Sequence, residues 1–152
     1  MTPFVPLDFD PPDGLDHELF RLRPLGPEHN ASDYEAWSSS IDHIRRTPGF
    51  ETRSWPRPMT LDENYRDLTK HAEDFAARHG FTYTVLAPNA DDVIGCIYIY
   101  PSATDGIDAD VSSWVRKEQG SLDPALHTIV VGWLDASWPF RHIEYATRPS
   151  KP

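Results

Sequence analysis

The chain is short of cysteine, of basic residues and of long apolar runs, and each shortage argues against a class of proteins. Its single cysteine, Cys96, lies inside an apolar run, which indicates a core thiol rather than a nucleophile or half of a disulfide. The 14 Lys and Arg residues are outnumbered by 24 Asp and Glu residues, and the net charge of −10 argues against nucleic acid as a partner. The same charge favours cationic or amine-bearing ligands.

No apolar stretch approaches the roughly 18 residues that a membrane-spanning helix requires, so we expect no membrane association. The N-terminus carries aspartates rather than a basic segment, which argues against a secretory leader. We therefore predict a soluble, cytoplasmic protein. None of the seven histidines stands at HxH or HxxxH spacing, and no GxSxG sequence occurs, so we predict neither a metal site nor a serine nucleophile.

The residues that are present suffice for one domain. With 152 residues, of which 39% are hydrophobic and 12% aromatic, the chain can bury a sizeable core. Residues 1–18 are rich in proline and aspartate and lack periodicity, which predicts an extended N-terminal arm. Residues 19–152 contain no internal repeat and no linker, and are predicted to form a single domain.

Apolar periodicity predicts two helices in the first half of that domain. The first begins near Ser32, which would form a capping box with Glu35. The second begins behind Thr60, which would be boxed with Glu63, and Gly80 would end it. Residues 50–59 form the loop between the two helices.

Alternating or continuous apolar runs predict the strands, at 19–25, 81–87, 93–100, 109–116 and 142–148. A third helix begins at Asp123 and Pro124 and precedes the last strand. Hairpins in the middle and a strand–helix–strand crossover at the end predict an α/β (α+β) fold. Its sheet would be mixed and mostly antiparallel, with helices on its faces.

Three stretches resemble the GCN5-related N-acetyltransferase (GNAT) superfamily. "FRLRPLGPEH" resembles its opening strand and the entry to its first helix, and "DDVIGCIYIYP" resembles the strand after an acidic hairpin turn. "ADVSSWV", residues 109–115, matches the family's common "AEIGYWV" strand, with Asp110 at the acidic position. The resemblance covers residues 19–148. It implies a GNAT-like domain, truncated after the strand that follows the third main helix, and acetyl-CoA as the acyl donor.

The resemblance also implies a set of cofactor-binding residues, in which pantetheine pairs with the end of this strand and pyrophosphate lies in the next loop: Trp114, Val115, Arg116, Lys117, Gly120 and Ser121. Gly120 would let backbone N–H groups approach the phosphates, and Lys117 would supply a positive charge. Leu122 stands where the family has a second small residue. Asp123 would cap the helix amides that the pyrophosphate would otherwise bind.

Three residues are candidates for the reaction itself. Asp110 would act as the base that deprotonates an amine, and the alternative is a solvated or salt-bridged strand carboxylate. Arg53 and Trp55 lie in a loop that commonly covers the acceptor in this family, and the alternative is surface packing. The remaining tryptophans fall at helix or strand spacing, which favours the core, with Trp114 the least certain of them.

Two functions follow from these patterns. The first is an acyl-CoA-dependent N-acyltransferase, an N-acetyltransferase of a degenerate type, acting on an unidentified amine. The second is a non-catalytic GNAT-fold module that binds a small ligand or a protein partner. The final strand would be an open edge, which predicts a homodimer through residues 142–148 unless the N-terminal arm or the terminal charges cover it.

Overall fold

A computed structural model describes residues 3–149, in which helices lie on both faces of a six-stranded sheet. The strands are β1 (Leu15–Asp16), β2 (Arg21–Pro24), β3 (Phe81–Leu86), β4 (Val93–Pro101), β5 (Ala109–Val115) and β6 (Ile143–Tyr145). The helices are α1 (Asn30–Ser38), α2 (Ile41–Arg45), α3 (Leu61–Ala77) and α4 (Asp123–Ser137). Short 3-10 turns, Pro27–His29 and Lys117–Leu122, lead into α1 and α4.

The strands follow one another across the sheet in chain order. All neighbours from β1 to β5 are antiparallel, and β5 and β6 are parallel. This confirms the predicted mixed and mostly antiparallel sheet. The parallel pairing extends only to Val111 and Tyr145, whereas β5 continues to Val115. β6 ends at Tyr145, so β5 has no strand partner on this side beyond Val111, and this unpaired stretch of the β5 edge is called the β5–β6 opening below.

Side chains alternate along β5 between two apolar clusters, as the period of two requires. Val111 and Val115 pack in a cluster with residues of α4, and Trp114 packs in a second cluster with residues of α1, α2 and α3. The sheet thus separates an α4 face from an α1–α3 face.

The N-terminal segment that the sequence assigned to an extended arm lies against the α4 face. Val5 is 1% exposed, and Phe4 and Phe9 pack against the same cluster. β1 pairs with β2 at the edge of the sheet opposite β6. β1 therefore does not cover the outer edge of β6, whereas Phe4 stacks on Phe140, just before that strand, at 5.2 Å.

The predicted first helix is two helices, and its predicted capping box is wrong. The 3-10 turn before α1 starts the helix earlier, so that Ser32 and Glu35 lie within it. Both side chains are used elsewhere: Ser32 Oγ accepts a hydrogen bond from the Val93 N–H at 2.9 Å, and Glu35 pairs with Arg116 at 2.7 Å. These contacts join α1 to β4 and to the residue after β5.

The predicted cap of α3 is confirmed. The Glu63 N–H donates to Thr60 Oγ at 3.0 Å, and the Thr60 N–H donates to Glu63 Oε1 at 2.9 Å, a motif worth about 1 kcal/mol. The predicted role of Gly80 is wrong, because the left-handed residue after the helix is Arg78, with φ 64°. Gly80 serves close packing, since a Cβ there would lie 2.1 Å from the Tyr100 ring. Within residues 3–149, no helix is both long and apolar enough to cross a membrane.

Candidate active site

A cavity of about 430 Å³ opens on the α1–α3 face of the sheet, within the size range of small-molecule sites. Its walls come from β4 and β5, from α1 and α3, and from the loop between α2 and α3. Asp110, Arg53 and Trp55 all line it. The three residues that the sequence proposed for the reaction therefore border one cavity, although they lie on two separate elements.

Asp110 stands at the exposed end of this cavity, in the middle of a three-strand register. It pairs with Tyr100 on β4 and with Glu144 on β6. Because paired residues on neighbouring strands project to the same face, Glu144 places a second carboxylate beside Asp110. Neither carboxylate forms an ion pair within the described chain. Sequence reasoning missed Glu144, which the alternation along residues 142–148 could have indicated.

Arg53 and Trp55 contribute different surfaces to the cavity. The Arg53 guanidinium lies 5.0 Å from the centre of the Phe50 ring, and its Nη1 donates to Ser112 Oγ at 3.3 Å. The Trp55 ring lies 6.0 Å from the Trp114 ring, and Trp55 is only partly buried. Arg53 is therefore held next to β5, and Trp55 closes an aromatic wall.

The inner end of the cavity carries a buried carboxylate, Asp33 of α1, which is 4% exposed. The Asn64 side-chain amide donates to Asp33 Oδ2 at 3.1 Å, and no other hydrogen bond to the Asp33 side chain forms within residues 3–149. Trp37 Nε1–H donates to Asn64 Oδ1 at 3.0 Å, which fixes the amide. Burial raises the pKa of Asp33 to about 6. Sequence reasoning missed Asp33, because an aspartate in the first turn of a helix is usually solvated.

A network of polar side chains stiffens the α3 side of the cavity. His71 Nδ1 lies 3.0 Å from the Tyr100 hydroxyl and 3.0 Å from Thr82 Oγ1. The Tyr100 hydroxyl donates to Asp74 Oδ2 at 2.9 Å. Burial lowers the pKa of His71, so this ring is neutral at pH 7.

The β5–β6 opening contains the side chain of Arg148. Its Nη2 donates to the Ser113 carbonyl at 2.9 Å and its Nη1 donates to the Ala146 carbonyl at 2.8 Å. Its Nε donates to Asp123 Oδ2 at 2.6 Å, and the Arg148 side chain is 3% exposed. The guanidinium thus bridges β5 and the residues after β6.

The position of Asp123 corrects the sequence prediction. The 3-10 turn runs directly into α4, so Asp123 is already helical, with φ −54° and ψ −47°, and the residue before the helix is Leu122. The Asp123 carboxylate pairs with Arg148 instead of capping the α4 amides. The α4 N-terminus therefore lacks the aspartate cap that we expected.

The six predicted cofactor residues occupy different environments. Trp114 and Val115 are buried, and Arg116 pairs with Glu35 and Glu118. Lys117, Gly120 and Ser121 follow in the 3-10 turn, where the Lys117 N–H donates to Ser40 Oγ at 3.0 Å and Ser121 is exposed. A Cβ on Gly120 would meet only His43, at 3.4 Å, so the backbone there is open to a ligand. Their roles toward a cofactor stay predictions.

The sequence predicted no metal site and a buried thiol at Cys96. In residues 3–149, no three His, Cys, Asp or Glu side chains lie together in a way that could hold a metal ion. The single thiol, Cys96, is fully buried, and burial raises its pKa well above the ordinary value. Cys96 is therefore a core residue, as its sequence context indicated.

The element order, the parallel last pair of strands and the end of β5 that extends beyond β6 before a crossing helix define a GNAT-like fold, as the sequence predicted. Among solved structures, the chain is similar to Mycobacterium smegmatis RimJ in complex with a CoA disulfide, with a TM-score of 0.66 and 13% identity over 91% of this chain and 68% of that one. It is also similar to the ribosomal-protein-S5-alanine acetyltransferase of Vibrio fischeri, with a TM-score of 0.60 and 13% identity over 80% of this chain.

The ribosomal-protein acetyltransferase RimL in complex with coenzyme A matches with a TM-score of 0.58 and 13% identity over 78% of this chain. The chain covers 66% of the RimL chain and 66% of the Vibrio fischeri chain, and so spans about two thirds of their length. No protein-family model matches the sequence, and no curated protein matches it.

Proposed function

We propose that the chain is an acyl-CoA-dependent N-acyltransferase, in its simplest form an N-acetyltransferase, whose amine acceptor binds in the cavity. The observation that carries this proposal is the meeting of Asp110, Arg53 and Trp55 around one cavity beside the β5–β6 opening. The GNAT-like fold and the coenzyme A complexes of RimJ and RimL support it. A bound acyl-CoA would supply the activated acyl group.

The chain's own residues then have separate tasks. Asp110, with Glu144 beside it, would accept the proton that an acceptor ammonium group must lose before its nitrogen can attack. The Arg53 guanidinium, held at Ser112, disfavours a positive charge at this end of the cavity and so favours the neutral amine. Trp55 and the neighbouring rings line the same space and would limit the access of water to it when an acceptor is bound.

The β5–β6 opening fits a pantetheine chain only after one internal contact has changed. The Arg116 N–H donates to the Ile94 carbonyl, so the alternation along β5 turns the backbone groups of Ser113 and Val115 toward the opening. Those groups suit an added extended chain, but Arg148 already donates to the Ser113 carbonyl. Donor binding along Ser113 and Val115 therefore requires the Arg148 guanidinium to move. The Trp114 backbone groups face β4 instead, so the predicted role of Trp114 would be limited to supporting this strand. Arg116, Lys117, Gly120 and Ser121 would then face the pyrophosphate.

The acceptor is an amine of small size in this proposal. RimL and the Vibrio fischeri enzyme act on ribosomal proteins by their names, which makes a protein N-terminus the other source of an amine. The cavity's size and its buried inner carboxylate favour a small molecule. Cytoplasmic localisation and a homodimer remain predictions.

Release of free coenzyme A thiol from acetyl-CoA, measured with a panel of small amines, tests the proposal. We expect turnover with at least one amine, and a loss of about 100-fold in Asp110→Asn, the usual scale for a general base. Asp135→Asn, an exposed change on α4, is the matched control and should keep full activity. Binding of amines without binding of acetyl-CoA would instead support the non-catalytic module.

A further inference from the structure

We propose that the cavity is selective for a small organic dication of the linear diamine class, with one ammonium group on Asp33 and the second nitrogen beside Asp110. The proposal deepens the proposed function, because the second nitrogen would be the one acylated. Recognition of the dication does not itself require a donor. It therefore stands or falls on binding alone.

The inner end of the cavity is built for a positive charge. Asp33 is 4% exposed, and the amide of Asn64 is its one hydrogen-bond donor within residues 3–149, so one carboxylate oxygen has no protein partner. A largely buried carboxylate that has one hydrogen-bond donor and no counter-ion is costly to ionise, and a ligand ammonium group would supply a further hydrogen bond and the opposite charge. Asp67 of α3, which also lines the cavity, adds negative charge on the same side.

The middle of the cavity suits an alkyl chain. Phe50, Trp55 and Tyr98 line it, and the Trp55 ring lies 6.0 Å from Phe50 and 6.4 Å from Tyr98. Aromatic faces bury methylene groups and attract a nearby cation. His71, which also lines this region, has a lowered pKa and adds no positive charge.

The outer end accepts a second nitrogen. Asp110 lines this end together with the cation Arg53, and Glu144, the partner of Asp110 on β6, stands beside Asp110 outside the cavity lining. Asp33 is buried and Asp110 is exposed, and both line the one cavity of about 430 Å³. A cavity of this size can hold a short aliphatic diamine between the two carboxylates.

The two ends also differ in a way that selects which nitrogen reacts. At the inner end, the nitrogen stays charged because it pairs with a buried carboxylate. At the outer end, Asp110 and Glu144 attract the second ammonium group, and the nearby Arg53 charge lowers the pKa of that group so that a carboxylate can take its proton. The inner nitrogen therefore anchors the ligand, and the outer one is presented for acylation.

Calorimetric titration without any acyl donor tests the proposal with three matched probes, cadaverine, n-pentylamine and pentane-1,5-diol. We expect cadaverine to bind at least tenfold more tightly than n-pentylamine, and the diol not to bind. The affinity of Asp33→Asn for cadaverine should fall to the affinity that the unmodified protein has for n-pentylamine. Asp135→Asn removes a charge on the far face of the sheet and should leave all three affinities unchanged.

Equal affinities for the diamine and the monoamine would contradict selectivity for a dication. An unchanged affinity of Asp33→Asn for cadaverine would contradict the role of Asp33. Asp110→Asn is the second variant, and it should also reduce the difference in affinity between the diamine and the monoamine. If a peptide with a free N-terminus bound and cadaverine did not, the proposal would be wrong in favour of a protein acceptor. Diamine binding without acetyl transfer would reject the proposed function and keep this inference.

Discussion

Arg148 and Asp123 form a buried ion pair that connects the residues after β6 to the first turn of α4. The Nε–Oδ2 distance is 2.6 Å, and the two side chains are 3% and 15% exposed. By contrast, Arg23 and Asp16 form a pair in which the side chains are 38% and 73% exposed. The two pairs have the same chemistry in different surroundings, which makes their contributions to stability separable.

Asp123→Asn should therefore destabilise the protein far more than Asp16→Asn does. The first change leaves the buried Arg148 guanidinium without a counter-ion, which costs about 3 kcal/mol or more. The second removes an exposed pair worth about 1 kcal/mol or less. Urea unfolding of both variants at pH 7 measures the difference, and similar losses in the two would show that the Arg148 pair is not a structural contact.

Lys117→Ala should weaken the binding of coenzyme A. Lys117 is exposed at the start of the 3-10 turn that precedes α4, and its charge would face the pyrophosphate. Loss of one exposed charge contact of about 1 kcal/mol corresponds to roughly a fivefold loss of affinity. Arg141→Ala, an exposed basic residue between α4 and β6, is the control. Unchanged affinity in Lys117→Ala would remove this turn from the donor site.

The outer edge of β6 predicts a homodimer. Within residues 3–149, β6 pairs only with β5, and β1 lies at the opposite edge of the sheet. An open strand edge can pair with a second copy through main-chain hydrogen bonds. Light scattering coupled to gel filtration should give twice the monomer mass of 17.3 kDa at micromolar concentration. A mass of one chain across the concentration range would show that the short strand remains unpaired.

Sequence reasoning predicted the features that depend on neighbours along the chain. The α3 cap, the alternation of β5 and the grouping of Asp110 with Arg53 follow from local pattern or from resemblance. Sequence reasoning missed Asp33 at the inner end of the cavity and Arg148 in the β5–β6 opening. Asp33 meets Asn64 across 31 positions and Arg148 meets Asp123 across 25. Periodicity carries no information about such contacts, and an arginine near a chain's end is usually read as solvated.

Asp33 should make the stability of the protein depend on pH. Its pKa is about 6 in the folded protein against an ordinary value of 3.8, mainly because of burial, and the nearby Asp67 charge raises it further. Between these values the folded state binds the proton more tightly than the unfolded state. The contribution of Asp33 to the free energy of unfolding therefore falls as the pH rises from 4 to 6. Above pH 6, the ionised carboxylate costs about 3 kcal/mol, from 1.36 kcal/mol per pH unit.

Asp33→Asn should therefore stabilise the ligand-free protein at pH 7.5, by about 1–3 kcal/mol, and change little at pH 4. The asparagine oxygen can still accept the hydrogen bond from the Asn64 amide, so the contact is kept while the charge is removed. Urea unfolding at both pH values, with the exposed Asp62→Asn as the control, measures the effect. An ammonium group bound to Asp33 should offset the cost of the buried charge. Adding cadaverine should therefore raise the free energy of unfolding of the unmodified protein more than that of Asp33→Asn. Equal stability of the two proteins at pH 7.5 would mean that Asp33 is not held as a buried charge. There would then be no cost of ionisation for a ligand cation to offset.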